Sequence, residues 1–307
     1  MFRLPVLIVA LLAACATAPG APDGVHDPLT VARTLSSGDM AGRRAGTDGN
    51  ARARAYLAGQ IEALSLPVIE QPFSFEGRRG AGAGVNLMTR VQGTDRLAPL
   101  LVVTAHYDHL GTRDGVVFHG ADDNASGVAG ALALAQRLRD APARHDVLIV
   151  LTDAEEMGLR GAEALFDGGP LTGRSVAANL NLDMIGRDDG DELFAVGTHH
   201  TPALRPLLEA VVGDASIPLA FGYDVPTDDP RNDWTELSDH APFHRRGIPF
   251  VYLGVEDHAD YHRPTDTYEA LDEAFLLGAI DAAARVLRVL DDAAADGVVA
   301  MRPAPGV

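Results

Sequence analysis

Cysteine is almost missing from this chain. Of 307 residues only Cys15 carries a thiol, so no intrachain disulfide is available. Membrane-spanning runs are missing too. Residues 4–14, after Arg3, are apolar but too few to cross a bilayer as a stable helix, and no other stretch approaches the required length. Positive charge is scarce: 25 basic residues face 43 acidic ones, a formal net charge of -18. Such a surface repels nucleic-acid phosphates and excludes DNA and RNA as partners. It favours cationic ligands by long-range steering instead. What the chain does have is length, enough for a substantial buried core in one large α/β domain or two small ones.

The apolar run at 4–14 has the pattern of a secretory signal segment. Leu12-Ala13-Ala14-Cys15 resembles a bacterial lipobox, in which the cysteine is lipidated and becomes the mature N-terminus. The expected organisation is a signal segment over 1–14, a flexible Ala-, Pro- and Gly-rich tether over 15–28, a single domain over 29–295 and a tail over 296–307. The lipid on Cys15 would be the only membrane anchor, on the periplasmic face of a membrane or cell envelope. An ordinary signal peptide, cut near Ala-x-Ala, gives a soluble periplasmic or secreted protein instead.

Along the chain, Asp27 to Leu64 reads as helical, with Gly42 to Gly46 as a loop inside it. Pro67 to Phe75 and Val85 to Val91 read as strands separated by a glycine-rich turn, Gly77 to Gly84. An α/β rhythm follows. Continuous apolar runs at Leu100–Thr104, Val147–Leu151 and Ala177–Met184 suit strands buried on both faces. Leu193 to Val196 and Ile248 to Leu253 are further strands. Helices are expected over Gly127–Arg139, Gly161–Phe166, Ala203–Val212, Asp239–His244 and Leu271–Leu290. Alternation of strands and helices without an internal repeat points to one α/β/α sandwich.

Acids and histidines gather at the ends of these strands, where open α/β sheets carry their chemistry. His106 and Asp108 follow the first buried strand; a ligand histidine commonly leans on a nearby carboxylate. Asp122-Asp123-Asn124 precede Ser126-Gly127 and a helix. One such residue suffices as an N-cap, so three in a row leave a carboxylate, Asp122 or Asp123, free to bridge two cations. Glu155-Glu156 follow the second strand: one can bind a metal while the other faces its water as general base. Asp183 ends an apolar run, where an acid is costly unless paired or bound to a cation. Tyr261-His262 supply a hydroxyl donor and a last ligand. Ser238-Asp239-His240 can face the site or cap the helix that follows. His109 and His119 are the rivals of His106, whereas His145, His199, His200, His244 and His258 read as residues of polar loops and helix faces.

Taken together, Thr104–Gly111, Gly120–Gly127, Thr152–Gly158, Asn181–Met184 and Tyr261-His262 resemble the M28 family of zinc-dependent exopeptidases, over residues 30–290 and in the family's order. The resemblance implies a three-layer α/β/α sandwich around a mixed, mostly parallel sheet, of the phosphorylase/hydrolase-like type. It implies two Zn²⁺ held by His106, Asp123, Glu156, Asp183 and His262, with Asp123 shared and a cis peptide between Asp123 and Asn124. It makes Glu155 the general base for a bridging hydroxide, Asp108 the orienter of His106 and Tyr261 the oxyanion donor. The implied activity is release of N-terminal residues from peptides. A glutaminyl cyclase, carboxypeptidase or dipeptidase activity is the alternative on the same scaffold. A carboxypeptidase needs an arginine pair, for which Arg245-Arg246 is the candidate. The loops Gly222–Asp239 and Gly254–Asp260, with the lone Trp234, are expected to shape the first side-chain pocket.

Overall fold

The computed structural model describes residues 27–77, 80–187, 190, 192–212 and 217–299. The expected signal segment, Cys15, nearly all of the tether and the end of the tail lie outside the described residues, as does part of the acidic run 188–192.

Two helices open the fold. α1 (Pro28–Leu35) starts on Asp27, whose Oδ2 accepts from the Thr30 amide at 3.0 Å, with Pro28 in the first turn. α2 (Asp48–Ala63) starts on Thr47 and buries Ala53, Leu57 and Ile61, four residues apart on one face. Strands β1 (Ile69–Gly77) and β2 (Gly80–Val91) pair antiparallel, with Gly77 opposite Gly80. The expected glycine-rich turn is therefore mostly strand. Its glycines serve the partner strand's aromatics: a Cβ at Gly82 would lie 2.5 Å from the Phe75 ring, which lies across the bare backbone.

Next come β3 (Leu100–His106), the small hairpin β4 (Thr112–Arg113) and β5 (Val116–Val117), α3 (Gly127–Asp140), β6 (Val147–Thr152), α4 (Arg160–Ala164) and β7 (Val176–Leu182). The chain then forms β8 (Leu193–Val196), α5 (Leu204–Val212), β9 (Leu219–Phe221), α6 (Ala241–His244), β10 (Phe250–Gly254) and α7 (Glu273–Ala295). The eight-stranded sheet runs β1-β2-β6-β3-β7-β10-β8-β9. Its centre, β6-β3-β7-β10, is parallel; β1, β2 and β8 run antiparallel to a neighbour. This is the mixed α/β sandwich expected. The hairpin β4–β5 and the three-residue β9 were not, because two or three residues carry no periodicity. Strand alternation divides the core: Leu101, Val103 and Ala105 of β3 pack toward α1, α2, α3 and α7, while Leu100 and Val102 face Leu165, Phe243 and Ile248. Each Val, Leu, Ile or Phe so buried contributes about 1.5–3 kcal/mol.

The parallel centre brings the C-terminal ends of β3, β6, β7 and β10 to one edge, and Arg43 ties the loops there. Its guanidinium is fully buried and donates only to main-chain carbonyls: Nε to Tyr107 at 2.8 Å, Nη1 to Leu35 at 2.7 Å and His119 at 2.6 Å, and Nη2 to Gly120 at 2.9 Å. Burial lowers its pKa to about 10, against the pull of Asp123, Asp266, Asp108 and Glu156, so it stays charged at neutral pH. One planar cation thus joins the end of α1 to the loops after β3 and before α3. Arg43→Lys, with a single ammonium, leaves some of these carbonyls unpaired. Urea denaturation should show a loss of about 3–5 kcal/mol; a loss under about 1 kcal/mol would mean the loops hold themselves.

His240, in the turn before α6, is also fully buried. Its Nε2 faces the Trp234 carbonyl at 2.9 Å and its ring stacks on Phe250 and Tyr252. Burial pushes its pKa down to about 3, the Trp234 carbonyl opposing. The native ring is therefore neutral while the unfolded ring titrates near the ordinary value of about 6.5. Its contribution is complete above that value and falls by about 1.4 kcal/mol per pH unit below it, as the unfolded chain binds the extra proton. Between pH 7 and 5 wild type should lose about 2 kcal/mol more than His240→Gln. Parallel losses in the two proteins would refute the assignment.

Candidate active site

The turn Ala121–Ser126 enters α3 against the end of β7, and its polar side chains fix it there. Asn124 donates from Nδ2 to the Leu182 carbonyl at 2.9 Å, and its Oδ1 accepts from the amides of Gly127 at 2.9 Å and Met184 at 3.2 Å. Ser126 Oγ accepts from the Ile185 amide, and Asp122 Oδ1 from the Gly186 amide at 2.7 Å. A Cβ at Gly127 would stand 2.4 Å from the Leu182 carbonyl oxygen, so only glycine allows this approach. From the other side, Asp266 accepts the amides of Asp122 and Asp123. The Asp123–Asn124 peptide is cis.

This anchoring presents Asp123 with its two carboxylate oxygens facing opposite ways. Oδ1 lies 3.3 Å from His106 Nε2, which lies 3.3 Å from Asp183 Oδ1. Oδ2 lies 3.2 Å from His262 Nε2, itself 3.4 Å from Glu156 Oε2. All five residues expected as ligands therefore converge, in two sets sharing Asp123. A tetrahedral zinc with bonds of about 2.0–2.1 Å spaces its ligand atoms about 3.3 Å apart. The nitrogen–oxygen separations have that size, and the mixed imidazole and carboxylate donors suit zinc.

The surroundings of the His106 ring agree with this fit. His106 Nδ1 faces the Asp108 carbonyl at 3.2 Å, and a proton there leaves the Nε2 lone pair toward Asp183 and Asp123. The contact differs from the one expected. The main-chain oxygen of Asp108 orients the ring, while the Asp108 carboxylate lies 3.7 Å away and accepts the Glu155 amide at 3.0 Å. Burial raises the Asp108 carboxyl to about 7, with His106 opposing.

Asp183 receives its own support. Buried hydrogen bonds run one way, from Asn179 Nδ2 to Thr104 Oγ1, from Thr104 to Asn181 Oδ1, from Asn181 Nδ2 to Ser238 Oγ and from Ser238 to Asp183 Oδ2 at 2.6 Å. Asn179 Nδ2 also donates to the Val102 carbonyl at 3.2 Å, and the last bond of the series occupies the carboxylate oxygen that does not face His106. Ser238 thus faces the site and caps no helix. Asp239 accepts from Thr152, and the helix that was expected over 239–244 is the single turn α6.

Charge in the site is lopsided. Burial raises Glu155 well above the ordinary carboxylate range, with Glu156, Asp239 and Asp183 adding to the effect and His106 opposing it. Asp123 is held well below that range: burial opposes, but His109, His106 and His262 outweigh it.

Other side chains stand elsewhere than the sequence suggested. His109, read only as a rival of His106, is fully buried on the other side of Asp123, its Nδ1 2.8 Å from Glu156 Oε1. His-x-Asp-His was the available signal, but spacing does not say which neighbour a fourth residue meets. His258 and His145 are not loop-surface residues; both are buried, against Asp122 at 3.2 Å and Asp291 at 2.8 Å. Asp122 points to His258 and away from His106 and His262. Tyr261 lies flat on the His262 ring, centroids 3.9 Å apart. Trp234 is 7% exposed, stacked on Tyr223 and edge-on to Phe194. Arg245 and Arg246 are occupied by Glu163, Glu236 and Asp167.

Comparison with known proteins places this arrangement. Residues 86–287 match the model of peptidase family M28. Leupeptin-inactivating enzyme 1 of Streptomyces exfoliatus is 27% identical over 261 residues, covering 81% of this chain and 53% of that protein. Aminopeptidase YwaD of Bacillus subtilis is 28% identical over 203 residues, covering 59% and 39%. A probable leucine aminopeptidase of Arthroderma otae is 30% identical over 193 residues, covering 58% and 50%. The chain spans about half the length of these relatives. Among solved structures, a glutaminyl cyclase of Fimbriiglobus ruber superposes with a TM-score of 0.71 at 24% identity, over 88% of this chain and 96% of that one. A zinc aminopeptidase from Bacillus subtilis gives 0.68 at 17% identity, over 86% and 94%. At these identities the structural likeness is one of fold. The family model covers well over half of the 307 residues, its span takes in all five converging side chains, and the chain belongs to peptidase family M28.

Proposed function

We propose that this chain is a dinuclear zinc aminopeptidase that releases N-terminal residues from peptides. The observation that carries the reading is the division of Asp123: one oxygen faces His106 and Asp183, the other His262 and Glu156. One ion would be held by His106, Asp123 and Asp183 and the other by Asp123, Glu156 and His262. When bound, the two ions supply Lewis acidity, polarising the scissile carbonyl and lowering the pKa of a water.

The remaining work falls to this chain's side chains. Glu155 is the proposed base: it sits beside Glu156, its amide is fixed on Asp108, and its raised proton affinity suits both accepting a proton and returning it to the leaving amine. Tyr261 keeps its hydroxyl proton, because burial and the surrounding carboxylates raise its pKa, and is the proposed donor to the developing oxyanion. Its ring also holds the half-exposed His262 in place. Asp183, its second oxygen occupied by Ser238, presents the first in one orientation.

Aminoacyl anilides with a free amine should be hydrolysed and N-blocked ones should not, with activity removed by EDTA and restored by zinc. Cleavage of blocked substrates alone would sink the aminopeptidase reading. Conversion of an N-terminal glutaminyl peptide to its cyclised form, without hydrolysis, would establish the cyclase alternative. Glu155→Gln should lower kcat by about 10²–10⁴-fold while zinc remains bound; an unchanged kcat would remove Glu155 from the mechanism.

A further inference from the structure

The surroundings of the two cation sets differ. Beside Asp183 stand Ser238 and Tyr252, whose hydroxyl approaches the Asp183 carbonyl, with Trp234 and Tyr223 packed against Tyr252. Beside Glu156 and His109 it opens into a cleft of about 860 Å³, within the range of small-molecule sites. Three separate segments each bring an arginine to the wall of this cleft: Arg44 from the loop before α2, Arg113 from β4 and Arg160 from the start of α4. Among the described residues, the acids lining it are Asp108 and Glu156, which belong to the site itself.

In a chain with 43 acidic and 25 basic residues, such a wall is unusual, and these arginines are not consumed by neighbours. Arg113 lies over the Phe118 ring at 4.8 Å. Arg160 gives Nε to the Met157 carbonyl at 3.1 Å and lies 5.9 Å from the Phe75 ring. Among the described residues none of the three has a carboxylate within ion-pair distance, whereas Arg245 and Arg246, just after α6, are engaged by Glu163 of α4. A guanidinium offers a planar fork of donors that matches a carboxylate, and its charge is felt most where a cleft excludes part of the water.

We propose that this cleft binds a carboxylate on the leaving portion of the substrate, so that the preferred substrates are short peptides with a free C-terminus or an acidic side chain near the cut. The proposal rests on the peptidase reading above. That reading requires the portion beyond the scissile bond to lie on one side of the two sets, and the open cleft beside Glu156 has room for it. A short peptide carries a carboxylate only at that end, unless a side chain supplies one. The arginines would therefore both tighten binding and set the direction in which the peptide lies.

The test uses Leu-Ala, Leu-Ala-Ala and Leu-Ala-Ala-Ala as free acids, as C-terminal amides, and as amides with Glu replacing the second residue. Binding is measured by calorimetry on the zinc-loaded Glu155→Gln protein, and KM on zinc-loaded wild type. At one or more lengths the free acid should bind about tenfold more tightly than its amide, the effect expected of one charge-assisted contact. Recovery of affinity by the Glu-bearing amide identifies a side chain as an accepted source; no recovery identifies the C-terminus. Combining Arg44→Gln, Arg113→Gln and Arg160→Gln should bring the acid-to-amide ratio to about one, a ratio read within each protein and independent of its overall activity. Equal binding of acid and amide at every length, no binding of either, or a preference that survives the triple variant overturns the proposal. An acid preference in binding without turnover of any peptide by wild type upholds the carboxylate site and sinks the peptidase reading.

Discussion

The fold gathers buried negative charge at one edge of the sheet, and that concentration is the constraint on which the rest depends. Asp108, Asp122, Asp123, Asp183, Asp239 and Asp266 are all buried there, with Glu155 and Glu156 beside them. Uncompensated, such a group either takes up protons or opens the fold. Part of the compensation is visible in the chain: Asp266 accepts two amides, Asp122 accepts Gly186 and meets His258, Asp239 meets Thr152, and Arg43 contributes one fixed positive charge. These interactions attend to the acids around the centre. They leave the facing atoms of Asp123, Glu156 and Asp183 beside imidazoles alone, and this is where the proposed cations would be held.

The same constraint explains the construction around it. Parallel strands bring their C-terminal ends into one line, with His106 registered beside Thr152. Loops leaving those ends are short of regular structure, so each is held by side-chain bonds to main chain: Arg43 to four carbonyls, Asn124 and Ser126 across to the end of β7, and Asp266 back to the turn. The ligand-facing side chains are thereby oriented before any ion arrives, as a site with little freedom to rearrange requires. The polar series from Asn179 to Ser238 does for Asp183 what the Asp108 carbonyl does for His106.

Much of this was legible in the sequence, and the reason is local. Acids and histidines directly after apolar runs mark strand ends, and His106, Glu155, Glu156 and Asp183 are each within a few residues of one. What stayed hidden depends on contacts between distant segments. Asp122 and Asp123 have the same chemistry and adjacent positions; only the path of the turn sends one to His258 and the other between His106 and His262. Arg43 looked like a loop residue because its partners are up to 77 positions away. His145 and His258 read as residues of polar loops and helix faces for the same reason. The glycines of β2 read as a turn because composition does not reveal that Phe75 covers one of them. The arginine-lined cleft draws on three segments with no common motif.

The account centres on Asp123 as the carboxylate common to two cation sites, and counting ions tests that directly. Metal-free protein titrated with zinc, followed by calorimetry and elemental analysis, should bind two ions per chain in wild type. His106→Ala and His262→Ala should each retain one, and Asp123→Asn should hold neither tightly, because a neutral amide cannot bridge two cations. A wild-type chain that takes up one ion, or an Asp123→Asn chain that retains two, would contradict the account.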